Sequence, residues 1–186
     1  PAGKSANGLA GQECTACAGG YYSDSSGAAS CASCPPGTFA RAGALRGTAC
    51  LDCAPGKYSA AAGSEVCTSC AAGKFSTADG ADSATVCQSC PLYNYSLAGS
   101  SACSACSAGS SSATGASQCT ACTAGKYSIP GGACTNCLAG YYSAHGVQCE
   151  LCPPGTYSAA GASTCTSCAI GSYAMAGATA CNACSS

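Results

Sequence analysis

Every cysteine of this chain belongs to a C-x-x-C pair, and that regularity limits the fold more than any other feature. The eleven pairs start at Cys14, Cys31, Cys50, Cys67, Cys87, Cys103, Cys119, Cys134, Cys149, Cys165 and Cys181, and successive starts lie 15 to 20 residues apart. Segments this short cannot each bury a core, so a fixed period of this kind indicates a tandem array in which neighbours support one another. Composition agrees. Leu, Ile, Val and Phe together number 14 in 186 residues, well under the roughly 20% expected of a packed domain. A poor core often means disorder, but disorder of that type also carries high net charge, and here the net charge is −1. With 22 cysteines, crosslinks take over the work of burial, as in small secreted modules. Six cationic and seven acidic residues form no patch or tail for nucleic acid, and no apolar run reaches the length of a membrane span.

Aligned on the pairs, the segments read C-x-x-C-x-x-G-x-[YF]-S, a variable stretch, a glycine, and the next pair; Cys152 to Cys165 is the clearest copy. The third position after the second cysteine is glycine in nine of ten internal copies: Gly20, Gly37, Gly56, Gly73, Gly109, Gly125, Gly140, Gly155 and Gly171. Glycine there supplies the positive φ of a tight turn. The fifth position is aromatic in nine of ten: Tyr22, Phe39, Tyr58, Phe75, Tyr95, Tyr127, Tyr142, Tyr157 and Tyr173. The ring is the one large side chain most copies own, so it is expected to cover a disulfide or the neighbouring loop. Two copies depart: Pro91–Tyr95 lacks the glycine, and Ser111 stands where a ring belongs. At the ends, Gly3 falls in register and Cys184 opens a loop that is not closed, so the chain reads as a slice of a longer array.

The unit resembles the ephrin-receptor-like cysteine-rich repeat. It is also similar to the first loop of tumour-necrosis-factor-receptor modules, where C-x-x-G-x-[YF] opens a loop closed by a cysteine. The resemblance covers nearly the whole chain and extends to mastigoneme-type proteins, the flagellar hair subunits, whose company the small, nearly uncharged residues suit. It implies a small disulfide-rich repeat protein: an elongated rod or solenoid of C-x-x-C-bounded loops with short β-hairpins and little or no helix. The array is continuous over residues 1–186, with breaks near 14–17, 31–34, 50–53, 67–70, 87–90, 103–106, 119–122, 134–137, 149–152, 165–168 and 181–184. If only the C-x-x-C link advances along the axis, each repeat adds roughly 10 Å at extended spacing.

Eleven pairs permit very many connectivities. The simplest rule joins the second cysteine of each pair to the first of the next, and the receptor-module resemblance supports it. It gives Cys17–Cys31, Cys34–Cys50, Cys53–Cys67, Cys70–Cys87, Cys90–Cys103, Cys106–Cys119, Cys122–Cys134, Cys137–Cys149, Cys152–Cys165 and Cys168–Cys181, and leaves Cys14 and Cys184 to partners outside the slice. The alternative is a crossed pattern, first to first and second to second within paired repeats. Zinc ribbons share the spacing, but eleven pairs leave one over when each site consumes two. Five Cys₄ sites of charge about −2 each also exceed what six cations offset. No metal and no cofactor are expected.

Catalytic material is scarce. His145 is the only histidine, and Glu13, Glu65 and Glu150 lie far apart, with no acid/base pair. Asp79 and Asp82 read as a solvated loop rather than a calcium site. Modification is the better-marked chemistry. Asn94-Tyr95-Ser96 is an N-glycosylation sequon. Ser110, Ser111 and Ser112 offer O-glycan acceptors, and Ser111, in place of a ring, leaves room for a sugar. The resemblance adds Pro35, Pro36, Pro153 and Pro154 as sites for hydroxylation and glycosylation. Arg41 and Arg46 in one long loop and Asp79 and Asp82 in another offer opposite charges for contact between copies. The expectation is a non-enzymatic, extracellular or cell-surface structural subunit of a filament, hair or stalk. Its partners would be copies of itself, other filament proteins and glycans. The alternative is a receptor or adhesion ectodomain that binds a protein ligand.

Overall fold

The computed structural model describes residues 4–5, 15–23, 28–42 and 50–185. The chain forms two compact units, one of Pro1–Cys90 with Ser96–Cys103, the other of Pro91–Tyr95 with Ser104–Ser186. Both are series of two-stranded antiparallel hairpins. In the first unit Tyr21–Tyr22 pairs with Ala32–Ser33, Thr38–Phe39 with Leu51–Asp52, Lys57–Tyr58 with Thr68–Ser69 and Lys74–Phe75 with Gln88–Ser89. In the second, Asn94–Tyr95 pairs with Ser104–Ala105 and Ser110–Ser111 with Thr120–Ala121. Lys126–Tyr127 with Thr135–Asn136, Tyr141–Tyr142 with Glu150–Leu151, Thr156–Tyr157 with Thr166–Ser167 and Ser172–Tyr173 with Asn182–Ala183 complete it. The turn glycine and ring thus open each hairpin, and the two residues inside the next C-x-x-C close it. The only helical element described is a 3₁₀ turn, Ala84–Val86, with Ser83 capping its start. Among the described residues no helix is long and apolar enough to cross a membrane.

Local chemistry explains the hairpin. In residues 54–57 the amide of Lys57 donates to the Ala54 carbonyl at 3.0 Å with Gly56 at φ 85°, which is the geometry of a type II turn. Gly125 (φ 83°) and Gly140 (φ 85°) repeat it in the second unit. The chain then returns through the variable stretch, and the amide of the next second cysteine donates to the glycine carbonyl, as in Cys70 to Gly56 at 2.8 Å and Cys137 to Gly125 at 2.9 Å. A disulfide closes the loop beside that bond. The bridges are Cys17–Cys31, Cys34–Cys50, Cys53–Cys67, Cys70–Cys87 and Cys90–Cys103 in the first unit. In the second they are Cys106–Cys119, Cys122–Cys134, Cys137–Cys149, Cys152–Cys165 and Cys168–Cys181. Each encloses 12 to 17 residues of sequence separation, where cross-linking removes about 3 kcal/mol of denatured-state entropy in the chain-entropy model.

The core contains almost no hydrocarbon. Its buried members are the second cysteines, Cys17, Cys34, Cys53, Cys70, Cys90, Cys106, Cys122, Cys137 and Cys152, the residue that follows each ring, and Ala81. That following residue is Ser23, Ala40, Ser59, Ser76, Ser96, Ser128, Ser143, Ser158 or Ala174, all 5% exposed or less. Leu51, Val66, Leu92, Leu97, Ile129 and Leu138 stay outside. Burial here selects for sulfur and for small size.

The small residues are buried because neighbouring loops meet on them. Each turn-glycine amide donates to the carbonyl of the post-ring residue one loop on: Gly37 to Ser59 at 2.8 Å, Gly56 to Ser76 at 2.7 Å, Gly125 to Ser143 at 2.7 Å. The serine hydroxyl returns the bond, Ser96 to the Lys74 carbonyl, Ser128 to that of Ser110 and Ser158 to that of Tyr141, each at 2.9 Å. A second glycine, late in the loop, donates to the preceding second-cysteine carbonyl, as Gly63 to Cys34 and Gly161 to Cys137 at 2.8 Å. Short parallel bridges such as Phe75 with Ser100 and Tyr142 with Ala162 run beside these bonds. Stacking also reaches two loops on. A Cβ at Gly20 would fall on the carbonyl oxygen of Gly63, one at Gly37 on that of Gly80, and one at Gly125 on that of Gly161. The repeat glycine is therefore demanded twice, by its φ and by the backbone it touches. No buried side-chain polar atom among the described residues lacks a hydrogen-bond partner.

Candidate functional site

Because the interior is uniform, any function must reside on the outward surface of the hairpins. The rings are half-buried there rather than enclosed, with Tyr173 48% exposed. Three of the described niches are built from the same parts. A ring residue forms one wall, the C-x-x-C residues another, and the next loop's turn and disulfide complete it. Phe39 takes this place with Leu51, Asp52, Lys57 and Cys67 around about 340 Å³. Tyr127 does so with Thr135, Asn136, Leu138 and Cys149 around about 270 Å³, and Tyr157 with Ser167, Ser172 and Cys181 around about 400 Å³. The ring of one loop thus borders the disulfide of the next, and the niches repeat along with the hairpins.

The two irregular copies are accommodated in different ways. Tyr93 takes the glycine's place with φ 66°, the one non-glycine residue described at positive φ. Its amide donates to the Ser112 carbonyl at 3.0 Å and its carbonyl accepts from Cys106 at 2.9 Å, so both bonds of the missing glycine are kept at the cost of backbone strain. Ser111 occupies the ring position opposite Thr120. Its niche, about 340 Å³, is walled by Ser112, Ala113, Thr120, Thr123 and Lys126.

The candidate modification sites separate by environment. Asn94 is half-buried at the start of its strand, with Nδ2 donating to the Leu92 carbonyl at 2.9 Å. Ser96 of the same sequon is 3% exposed and bonded to Lys74. The sequon arises where Asn precedes the ring and its structural serine. Pro35, Pro36, Pro153 and Pro154 are exposed on turn tips, and Thr38 and Thr156 hydroxyls donate to the Pro35 and Pro153 carbonyls at 2.8 and 2.7 Å. Ser110 donates to the Ser107 carbonyl and Ser112 to that of Asn94, both at 2.9 Å.

Ionisable groups are dispersed. His145, Glu65, Glu150, Asp79, Asp82 and Arg41 are exposed, whereas Glu13, Arg46 and Cys14 lie outside the described residues. Glu150 instead accepts from the Tyr142 hydroxyl at 2.7 Å, and this bond, with the carboxylate's charge, raises the Tyr142 pKa above the usual 10.0. Spacing did not reveal that pair, because its partners meet only through the hairpin register. Among the described residues no group of three or more His, Cys, Asp or Glu gathers as a metal site would, and Cys184 is exposed and unbridged.

Hairpins of this construction have a counterpart among known families. Residues 3–44 match the family model described as tyrosine-protein kinase ephrin type A/B receptor-like. The N-terminal part of the chain is thus similar to an ephrin-receptor-like cysteine-rich domain. It is followed by further disulfide-bonded hairpins of the same design. No curated protein matches the chain. Disulfide density together with this similarity suggests a secreted or extracellular protein.

Proposed function

We propose that the chain is a non-enzymatic structural segment of an extracellular filament, hair or stalk, of the mastigoneme type in its architecture. The observation that carries this reading is the sameness of the loops. Ten disulfides recur with a small residue after the ring position, serine in most loops and alanine in two, and with a turn amide bonded to the next loop, and the surface niches recur with them. An array that repeats its interior and its surface offers many equal attachment points, which suits lateral assembly with copies of itself or with other filament proteins. The pairing of each second cysteine with the next first cysteine is part of the proposal, as is one continuous array across residues 1–186. So is glycosylation of Asn94 and of the exposed prolines. Electron microscopy of the native material tests the reading: regular filaments containing the chain are expected, and isolated rods on a cell surface would overturn it.

A second reading is favoured by the ephrin-receptor-like match over residues 3–44: a cell-surface receptor or adhesion ectodomain. The niche beside Phe39, which gathers Arg41, Asp52 and Lys57 next to the exposed Leu51 and Val66, is where such a ligand would bind. Substituting Arg41 and Lys57 together with Ala would abolish cell-surface ligand capture under that reading and leave filaments intact under the first.

A further inference from the structure

We propose that Ser111 carries an O-linked monosaccharide, and that this sugar stands in for the aromatic ring its repeat lacks. The inference rests on the extracellular reading above and adds to it one residue, one ligand class and one role. Three adjacent serines share one composition but differ in what their hydroxyls do. Ser110 is held by the Ser107 carbonyl, and Ser112, the post-ring residue, is tied to the Asn94 carbonyl of the preceding loop. Both bonds belong to the repeat: Thr38 bonds its own turn as Ser110 does, and Ser128 and Ser158 bond the preceding loop as Ser112 does. Ser111 alone has no hydroxyl partner among the described residues, and it opens on the niche.

The walls of that niche state what should fill it. Where Phe39, Tyr127 or Tyr157 occupies this position, an apolar ring forms one wall. Around Ser111 there is no ring, and the lining brings together three polar side chains, Thr120, Thr123 and Lys126, with Ala113 and Ala121. None of those three polar groups has a side-chain partner among the described residues, so each is free to bond a ligand's hydroxyls. A bare apolar side chain from another molecule would leave them without partners, at a cost. About 340 Å³ is near the lower end for ligand sites, room enough for one pyranose. A pyranose has hydroxyls for the polar wall and a C–H face for the alanines.

The transfer needs a nucleotide-activated sugar and a glycosyltransferase of the secretory route. Ser111 Oγ attacks the anomeric carbon, the bond from that carbon to the diphosphate oxygen breaks, the nucleoside diphosphate leaves, and the hydroxyl proton passes to a base of the transferase. No electrons are exchanged. Once attached, the sugar lies beside the Cys122–Cys134 bridge, on the surface a ring covers elsewhere.

Glycopeptide mass spectrometry with site-resolving fragmentation of protein purified from its native source tests the assignment. One monosaccharide on Ser111, with Ser110 and Ser112 bare, is the expected result; a bare Ser111, or a sugar on either neighbour instead, overturns it. The role is tested by expressing Ser111→Ala and Ser111→Tyr in the secreting cells and measuring amide hydrogen exchange in residues 119–134. Ser111→Ala should accelerate exchange on the order of tenfold, the scale of one lost contact, and Ser111→Tyr should restore it by returning a ring. Equal exchange in all three proteins would overturn the role. Filaments with a bare Ser111 would sink this inference alone, whereas a glycosylated Ser111 in protein that forms no filament would sink the structural reading alone.

Discussion

Gly125 and Gly155 occupy the same repeat position with nearly the same backbone, φ 83° and φ 80°, yet only one of them meets another loop. A Cβ on Gly125 would strike the Gly161 carbonyl, while one on Gly155 has nothing within 4 Å. Substituting alanine therefore separates two costs that sequence alone merges. The left-handed conformation costs an L-residue about 1–2 kcal/mol, and both variants bear it. Gly125→Ala adds overpacking of about 1–3 kcal/mol, and the displaced loop weakens the 2.7 Å bond from the Gly125 amide to Ser143, a further contribution of about 1 kcal/mol. The expected totals are about 3–6 kcal/mol at Gly125 and about 1–2 kcal/mol at Gly155. Native-state amide exchange with the disulfides oxidised is the right assay, because a repeat array opens locally rather than all at once. At Gly125, the amides of Gly161, which bonds Cys137, and of Ser143, which bonds Ala162, should exchange at least tenfold faster than in Gly155→Ala, since about 1.4 kcal/mol is one decade. Equal acceleration in the two variants would refute the claim that contact two loops on helps fix the stack.

Tyr93→Gly should stabilise its loop by about 1 kcal/mol through relief of the positive φ, seen as slower exchange of the Cys106 amide that bonds the Tyr93 carbonyl; faster exchange would mean the ring makes a contact worth more than the strain. Ser128→Ala should cost about 1 kcal/mol for the lost bond to Ser110, and Ser128→Val about 1–3 kcal/mol more through overpacking. A valine variant as stable as alanine in thermal unfolding would contradict the size constraint. Tyr142 should titrate above the ordinary phenol range because of Glu150. Its folded value is raised, so its small contribution is present at lower pH and lost as alkaline pH passes through that value. Tyrosinate absorbance should show Glu150→Gln moving Tyr142 back toward lower pH, and an unchanged titration would discount the hydrogen bond. Peptide mapping under non-reducing conditions should recover Cys17 with Cys31, and recovery of Cys14 linked to Cys31 would replace the serial pairing by the crossed one.

The spacing of the C-x-x-C pairs, the turn glycine and the ring were enough to read an array of disulfide-closed loops with short hairpins, because each acts within its own loop, whereas serial and crossed pairing of the cysteines both stayed open. What could not be read depends on how loops meet. The serine after the ring stood in the repeat pattern, but in a chain this rich in serine nothing marked Ser128 or Ser143 as core. Their burial follows from the stack, where the neighbouring glycine amide lands on their carbonyls. Gly63 and Gly161 likewise stood in the repeat pattern, and only the stack shows that they are touched from two loops away. For the candidate site the same limit applies at finer grain. Ser110, Ser111 and Ser112 are one run in the sequence, and only strand register assigns one to its own turn, one to the niche and one to the loop before.

The serial bridges also decide what it takes to cut the molecule in two. A break anywhere inside a closed loop leaves both ends held by that loop's disulfide, so between Cys17 and Cys181 the chain is severed only within the short C-x-x-C links. Those links are Ala32–Ser33, Leu51–Asp52, Thr68–Ser69, Gln88–Ser89, Ser104–Ala105, Thr120–Ala121, Thr135–Asn136, Glu150–Leu151 and Thr166–Ser167, all exposed. None contains lysine or arginine. Arg41, Arg46, Lys57, Lys74 and Lys126 all fall inside closed loops. A trypsin-like enzyme can therefore nick the array at every one of these positions without parting it, and the damage appears only after a reductant opens the bridges.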